Sequence, residues 1–317
     1  MGLNSLVPGS ANNVIALVAD VALPEGKKGQ YMAGTLKDAT GSMGFKIWEP
    51  EGMLEIVKTG EVIQVIDGSA SEYKGELQMV IKQATRIPQE ILDNWDGYPQ
   101  SPISELNLEV EFNKLLNTAS LSDPALKSVP LVKNTMEDKG YYTMYKNYPA
   151  AMKHHQAYRR GLFEHSVAVA RMTRAALSLY SPMEAPTVNV GLGILGALFH
   201  DIGKIKEYEV NGLWLATGYS KEGLLLTHHM LGCEIIDEIF AEFLDKDYRM
   251  KLKHICISHH GLKEWGSATE PKFLEAHTIH QMDMVDSRRE AFDVHDPSGI
   301  AYSQQLRGSI LSAAPTT

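Results

Sequence analysis

The stretch GLGILGALFHDIGK, residues 191–204, joins an apolar helix to a pair of metal-binding groups. The residues before His200 are apolar or glycine on every face, which predicts a helix inside a protein core. The helix ends in His200-Asp201, and Gly203 is a natural C-terminal stop. Adjacent side chains on a helix project at about 100° to each other, so this pair can bind one metal ion or bridge two. A His-Asp pair is common, and its meaning depends on partners elsewhere in the chain.

Matching groups recur on four other predicted helices. His165 lies in GLFEHSVAVA, His228 in LLTHHMLGCEII, the pair His259-His260 in ICISHHG, and Asp283 in HQMDMVDS. A metal cage inside a helical bundle requires such ligands on facing helices. Imidazole suits Zn, Fe and Ni while carboxylates favour Mn or Mg, so the mixed set fits Mn²⁺ or Fe²⁺ best. The other histidines, taken singly, are interpreted as ordinary core or surface residues: His154, His155, His229, His254, His277, His280 and His295.

The region around these motifs shows helical periodicity from residue 105 onward. We therefore predict an all-α domain over residues 105–317. Its expected helices are Leu106 to Thr118, Pro124 to Lys139, Gly161 to Tyr180, Val188 to His200, Thr227 to Phe243, Asp247 to His259 and Phe273 to Phe292.

The N-terminal region has the pattern of short strands instead. Five apolar segments between Asn13 and Ile87 are separated by turn residues such as Pro24-Glu25-Gly26 and Lys74-Gly75, and Asp67-Gly68 is a further turn signal. They read VIALVADVAL, QYMAGTLKDAT, SMGFKIWEP, EVIQVIDGSASEY and ELQMVIKQATRI. Five strands in so short a segment predict a small closed barrel over residues 1–87, with an OB-fold as the leading candidate. Residues 88–104, rich in proline and polar residues, are interpreted as a linker.

Composition excludes several other classes of protein. With 44% hydrophobic and 22% charged residues in 317, the chain is typical of globular proteins. Without a long apolar run or a signal-like start, a cytoplasmic protein with no membrane partner is expected. Cys233 and Cys256 are interpreted as core thiols. The net charge of −9 argues against a broad basic face for duplex nucleic acid but allows a local groove.

Taken together, the order H…HD…H…HH…D resembles the HD superfamily of metal-dependent phosphohydrolases. The whole chain is similar to the YhaM-type 3'-5' exoribonuclease family, through AGTLKDATGSMGFKIWEP, HHQAYRRGLFEHS, LFHDIGKIKEY, LLTHHMLGCEII, ISHHG and EAHTIHQMDMVDS. The resemblance implies a first metal ion bound by His165, His200, Asp201 and Asp283. It implies that His228, His259 and His260 are available for a second ion that Asp201 bridges. His229 stands where an apolar residue is usual in the family, so which of His228 and His229 points inward stays open.

The same resemblance implies hydrolysis from the 3' end of single-stranded RNA, with single-stranded DNA as an alternative substrate, to nucleoside monophosphates. One or two divalent ions are expected, Mn²⁺ first and Fe, Co, Mg or Zn as alternatives. Asp201, Lys204 and His259 are the expected catalytic residues, with Lys204 near a phosphate oxygen and His259 open between metal ligand and substrate contact. Substrate contacts are expected from Arg159, Arg160, His154 and His155, the two histidines being candidates for protonating the leaving group. A homo-oligomer is compatible with this reading.

The predicted barrel explains why the substrate would be a polymer. OB-folds hold single strands by stacking bases on aromatic rings and by placing cations along the phosphates. Phe45 and Trp48 are three residues apart, so they face opposite sides of one strand. Lys46 shares a face with Trp48, and these two are the expected strand-binding residues of the barrel.

Two other functions remain open from the sequence. One is an HD-type phosphohydrolase acting on nucleotides or cyclic nucleotides; the segment GLKEWGSATEP after His260 lacks the GYP triplet typical of cyclic dinucleotide phosphodiesterases, and the barrel disfavours a mononucleotide substrate. The other is a non-catalytic single-strand-binding protein with a vestigial metal site. Loss of a ligand would mark such a protein, and the set named above is complete.

Overall fold

The computed structural model describes residues 2–26, 29–73, 76–92, 95, 97–152, 155–180, 187–292, 300–303, 306 and 308–311. The chain forms two compact units. The first is Met1–Gln100 together with Asn211–Thr217, and the second is Ser101–Val210 with Gly218–Thr317. Among the helices that the structure describes, none has the length and apolar character needed to cross a bilayer.

The first unit is built on a closed β-barrel. Its strands are β1 (Gly9–Ser10), β2 (Val14–Ala22), β3 (Glu25–Gly26), β4 (Gly29–Gln30), β5 (Met32–Asp38), β6 (Gly41–Ile47), β7 (Val62–Tyr73) and β8 (Glu76–Arg86). The sheet order is β1-β7-β2-β5-β6-β8, and a further β7–β8 pairing closes it. All ladders are antiparallel except β6–β8, which is parallel. The five strands predicted from the sequence are β2, β5, β6, β7 and β8, and this order confirms the OB-fold.

Apolar side chains at every second position of the strands form the barrel core. In β2 the side chains of Val14, Ala16 and Val18 are buried, and in β6 Phe45 is 2% exposed. Side chains two apart share one face of a strand, so each strand contributes one apolar row to the interior. Trp48, three residues after Phe45, is exposed. The two aromatic residues therefore lie on opposite sides, as strand parity predicts.

The compact unit that contains the barrel extends past its last strand to Gln100. Residues 88–100 include α1 (Gln89–Leu92). A small apolar cluster explains why the proline-rich stretch packs here: Leu17, Val62 and Leu215 are buried against Ile15, Ile87, Leu92, Trp95 and Leu213. Within this unit Asn211 Nδ2 also donates to Gly60 O at 2.9 Å. The boundary of the compact unit thus falls at Gln100, inside the linker predicted at residues 88–104.

The second unit is helical, as the sequence predicts. Its helices are α2 (Glu105–Ser122), α3 (Val132–Asp138), α4 (Tyr141–Asn147), α5 (Gly161–Leu177), α6 (Val190–Phe199), α7 (Lys204–Glu207), α8 (Lys221–Phe240), α9 (Lys246–Ser258) and α10 (Leu274–Phe292). Short strand pairs interrupt the all-α pattern: β9 (Tyr208–Val210) with β10 (Ala216–Tyr219), and β11 (Ile300–Ser303) with β12 (Gly308–Leu311).

The single helix predicted from Pro124 to Lys139 is wrong. The segment begins with 3₁₀ turns at Pro124–Leu126 and Val129–Leu131, and only its last part is the helix α3. Proline has no N–H to donate and its ring clashes with the preceding turn, so Pro130 cannot lie inside a regular helix.

Helix α6 is the central helix of this unit, because every residue from Gly191 to Phe199 is buried. Glycine allows its neighbours to approach closely: a Cβ at Gly196 would lie 2.4 Å from Ile255 Cδ1 and 3.0 Å from Ile279 Cδ1. The side chain of Asn189 caps its first turn by accepting from Leu192 N at 2.8 Å. Helices α5, α9 and α10 pack around α6, so its C-terminal end brings His200-Asp201 into a buried position.

Candidate metal centre and the cavity beside it

His165, His200, Asp201 and Asp283 converge at the C-terminal end of α6. His165 Nε2 lies 3.1 Å from Asp283 Oδ1 and 3.6 Å from Asp201 Oδ2. His200 Nε2 lies 3.4 Å from Asp201 Oδ2 and 4.0 Å from Asp283 Oδ1. Donor atoms bound to one ion at about 2.1 Å are about 3.0 Å apart at right angles and about 3.4 Å apart at tetrahedral angles. The observed spacings therefore fit a shared ion.

In His165, His200 and His259 the other ring nitrogen, Nδ1, already has a polar partner in the protein. His165 Nδ1 is 2.7 Å from Asp286 Oδ2, His200 Nδ1 is 2.8 Å from Ala197 O, and His259 Nδ1 is 2.8 Å from Cys256 O. Such outer contacts set the tautomer and ring orientation of metal-binding histidines. They direct the Nε2 atoms toward Asp201.

Several buried atoms in the cluster have no hydrogen-bond partner of acceptable geometry. They are His165 Nε2, His200 Nε2, His228 Nε2, His229 Nε2, His259 Nε2 and Asp201 Oδ1. A buried polar atom left unsatisfied costs about 1–3 kcal/mol, so this many in one place requires an explanation. A bound cation would satisfy them together, and imidazole and carboxylate donors are the ligands for it.

Asp201 lies between two groups of histidines. Its Oδ2 faces His165 and His200, whereas its Oδ1 lies 3.6 Å from His228 Nε2 and 3.3 Å from His259 Nε2. Lys204 Nζ donates to Oδ2 at 2.5 Å. This arrangement suits a carboxylate that bridges two ions.

A second cluster consists of His228, His229, His259 and His260, each of which offers a ring nitrogen within 4.8 Å of the others. Both His228 and His229 are buried, and each offers a ring nitrogen to the cluster. Both side chains therefore point inward. Glu207 holds the first of them, with both carboxylate oxygens 3.0 Å from His228 Nδ1 and one accepting from His228 N at 2.8 Å.

Backbone strain at Thr227 precedes the second cluster. Thr227 has φ 57° and ψ 163° and interrupts α8, so a new helical segment begins at His228. A β-branched residue in this region costs of order 1–3 kcal/mol and persists only where its surroundings impose it. Gly203 provides part of that surrounding, because a Cβ there would lie 1.9 Å from His228 O. Glycine at residue 203 is thus required by close packing against α8.

Electrostatics favour positive charge among the carboxylates. Burial alone lowers the pKa of His165, but Asp283 and Asp286 raise it to about 9. Burial opposes ionisation of Asp201, yet Lys204 and His200 hold the pKa of its carboxyl well below the usual range. Burial lowers the pKa of His259 to about 3, helped by His260. The ionised carboxylate of Asp201 and the neutral imidazole of His259 are the forms that bind metals.

A cavity of about 220 Å³ opens beside the metal centre. Its lining combines charged, aromatic and apolar groups: His155, Asp201, Lys204, His260, Trp265, Asp283, Met284, Ser287 and Arg288. The Arg288 guanidinium carbon is 5.8 Å from the centre of the Trp265 ring. Within the described part of the chain, no carboxylate forms an ion pair with Arg288. The wall thus presents a cation and an aromatic ring next to the candidate metal site.

Of the other residues predicted to contact the substrate, only some line this cavity. His155 lines the cavity, and its ring lies 6.0 Å from that of His165. Arg159 and Arg160 are not among the lining residues; Arg159 Nε donates to Asn147 Oδ1 at 2.8 Å, and Arg160, with φ 68°, directly precedes α5. His154 lies outside the described residues.

Lys46 and Trp48 lie on the barrel in an exposed aromatic group. Lys46 Nζ is 5.5 Å from the centre of the Trp48 ring and 4.7 Å from that of Tyr73, and Tyr31 packs against Trp48 at 5.1 Å. Trp48 is 57% exposed and Tyr73 is 54% exposed. Large exposed rings beside a cation are typical of single-strand-binding surfaces.

Sequence reasoning missed Glu207, Asp286, Trp265 and Arg288. Asp286 was detectable in principle, because it follows Asp283 by three residues and therefore shares its helical face. Glu207 lies inside the LFHDIGKIKEY motif without a periodic signal of its own. Trp265 and Arg288 are 23 residues apart in the chain, and only folding brings them together.

Comparisons with known proteins found a family model, curated relatives and solved structures that are similar to parts of this chain. The family model described as the HD domain matches residues 162–288. The 3'-5' exoribonuclease YhaM proteins of Listeria welshimeri and Listeria innocua are each 29% identical over 265 residues, covering 83% of this chain and 80% of theirs. The second OB-fold domain of replication protein A from Methanococcus maripaludis aligns over 27% of this chain and 93% of its own, with 22% identity and a TM-score of 0.24. Residues 162–288 therefore match the HD domain, the chain is homologous to the YhaM exoribonucleases, and both matches support a hydrolase of the nuclease or phosphohydrolase kind.

Proposed function

We propose that this chain is a metal-dependent 3'-5' exoribonuclease that shortens single-stranded RNA to nucleoside monophosphates. The observation that carries the proposal is the convergence of unsatisfied ligand atoms on Asp201 beside an open cavity. The YhaM relatives, named as 3'-5' exoribonucleases, support the choice of polymer and direction.

The candidate ligands form two groups, one on each side of Asp201. His165, His200 and Asp283 would hold a first ion with it, and the imidazoles of the second cluster would hold another. When bound, divalent ions polarise phosphoryl oxygens and lower the pKa of water. Mn²⁺ is the first choice for the carboxylate-rich site, because carboxylates favour harder ions than imidazole alone does.

Lys204 and His155 supply groups to the substrate. Lys204 contacts Asp201, and its ammonium in the cavity wall can also meet a phosphate oxygen as a point charge. Burial lowers the pKa of His155 to about 4, with Lys204 and His165 adding to the effect. At neutral pH His155 is therefore an uncharged hydrogen-bond donor to the substrate.

The cavity wall favours the end of a polymer over a complete free ligand. A volume of about 220 Å³ is below the ~300–1,000 Å³ typical of pockets that enclose a whole small molecule. Trp265 offers a ring on which a terminal base can stack, and Arg288 beside it can pair with a phosphate. These features suit one terminal nucleotide whose upstream neighbours extend outside.

The barrel would bind other nucleotides of a single strand. Trp48 and Tyr73 expose more than half of their surface, and Lys46 Nζ lies 5.5 Å and 4.7 Å from their ring centres. Base stacking on such rings is worth about 1–3 kcal/mol per base and tolerates any sequence. The surface therefore fits unspecific binding of a single strand.

The decisive test uses 5'-labelled single-stranded RNA with Mn²⁺, alongside dNTPs and cyclic dinucleotides. We expect a ladder that shortens from the 3' end with the wild type, and none with Asp201→Asn. Asp247→Asn, at an exposed position of α9, is the matched control and should retain activity. Intact RNA together with hydrolysed dNTP or cyclic dinucleotide would instead identify a phosphohydrolase of small substrates.

A further inference from the structure

The second cluster contains one imidazole more than the three that family resemblance implies. We propose that His229 is itself a metal ligand, which makes this an imidazole site selective for borderline cations such as Co²⁺, Zn²⁺ or Fe²⁺ over Mn²⁺. The inference deepens the metal cage on which the proposed function rests. Its readout is metal binding, so it is independent of whether RNA is the substrate.

His229 is positioned as a ligand would be. Its side chain is buried, with 7% of the residue exposed, and its Nε2 has no hydrogen-bond partner. Its Nδ1 lies 3.2 Å from Thr227 Oγ1. One ring nitrogen of His229 thus has a polar neighbour and the other has no partner. The other histidines of the cage show the same pattern, in which an outer contact orients the ring and the second nitrogen is available to a metal.

The four rings are grouped closely enough to share an ion. The His229 ring centre lies 4.1 Å from that of His228, 5.1 Å from His259 and 4.7 Å from His260. One ring nitrogen from each residue lies within 4.8 Å of the others. Tetrahedral binding needs about 3.4 Å between nitrogens, so small side-chain rotations complete the site.

His228 and His229 are the first two residues of a new helical segment, because the backbone at Thr227 is not helical. Neighbouring side chains in a helix diverge by about 100°, and two imidazoles at this angle can still meet one ion. The planes of the two rings are tilted by 33°, with their centres 4.1 Å apart. Strained backbone is a frequent feature of functional sites, and here it lies directly before the two imidazoles.

The ligand types distinguish the two sites. The first contains the carboxylates of Asp201 and Asp283, which suit Mn²⁺ or Mg²⁺. The second has four imidazoles and shares only Asp201, a set that suits Zn²⁺, Fe²⁺ or Ni²⁺ chemistry. A single chain would then hold two different cations.

The test is metal binding by the full chain after treatment with a chelator. Samples are titrated with Co²⁺ and, separately, with Mn²⁺, followed by calorimetry, elemental analysis and the visible absorption of Co²⁺. We expect two Co²⁺ per wild-type chain. In His229→Leu the second Co²⁺ should bind more weakly by more than the roughly 10- to 100-fold that loss of an outer contact causes, with a changed Co²⁺ spectrum and an intact first site.

His277→Leu is the matched control, because it removes an exposed imidazole from the same unit. His229→Gln tests the site without introducing an apolar group. Equal affinity and an identical Co²⁺ spectrum in wild type and His229→Leu would overturn the proposal. The proposal would also be overturned if His229→Leu and His229→Gln both lost the two ions and had a lowered unfolding temperature, because His229 would then be a packing residue.

Discussion

Replacing Asp286 should weaken metal binding although this residue is not one of the proposed ligands. Its Oδ2 lies 2.7 Å from His165 Nδ1, and its side chain is 4% exposed. The carboxylate orients the imidazole and increases its basicity, and losing such a partner typically costs about 10- to 100-fold in metal affinity. That range corresponds to about 1.4–2.8 kcal/mol.

The contact between Asp286 and His165 indicates where in this range each variant should fall. In Asp286→Ala the buried Nδ1–H loses its acceptor, so we expect a loss near 100-fold and a decrease in the free energy of unfolding of about 1–3 kcal/mol. Asp286→Asn keeps an acceptor oxygen and should stay near 10-fold. Mn²⁺ titration calorimetry of the chelator-treated protein measures the affinity, and urea unfolding measures the stability. Mn²⁺ affinity equal to wild type in Asp286→Ala would refute the orienting role, whereas Asp247→Ala should match wild type.

Three further substitutions test other parts of the structure. Gly203→Ala places a Cβ 1.9 Å from His228 O, so the unfolding temperature should fall, and an unchanged melting curve would contradict the close packing. Tyr145→Phe removes the buried hydroxyl that donates to Leu198 O and should cost about 1–3 kcal/mol in urea unfolding; no change would mean that this carbonyl finds another donor. Lys46→Ala should raise KM for long RNA with little change in kcat and reduce its salt dependence, while the exposed barrel variant Lys82→Ala should not.

Much of the fold was predictable because its signals are local. Alternating apolar residues identified the barrel strands, since side chains on a strand reverse face at every residue. The uniformly apolar run before His200 identified α6 as buried, and all of its residues from Gly191 onward are. The helix predicted through Pro130 failed because continuous apolar spacing outweighed the known effect of proline on a helix. The packing of residues 88–100 with the barrel depends on Leu215, more than a hundred residues away.

By itself the sequence determined which residue types are available as ligands and on which elements they lie, because periodicity and helix ends are encoded by neighbouring residues. It thus predicted the OB-fold barrel, the helical unit and a cage built around Asp201. Only the tertiary structure decided that Glu207 and Asp286 orient the ligands and that both His228 and His229, which follow the strained Thr227, lie buried in one cluster. Those outcomes depend on distances between groups far apart in the chain and on a backbone conformation that packing imposes, and neither leaves a local pattern.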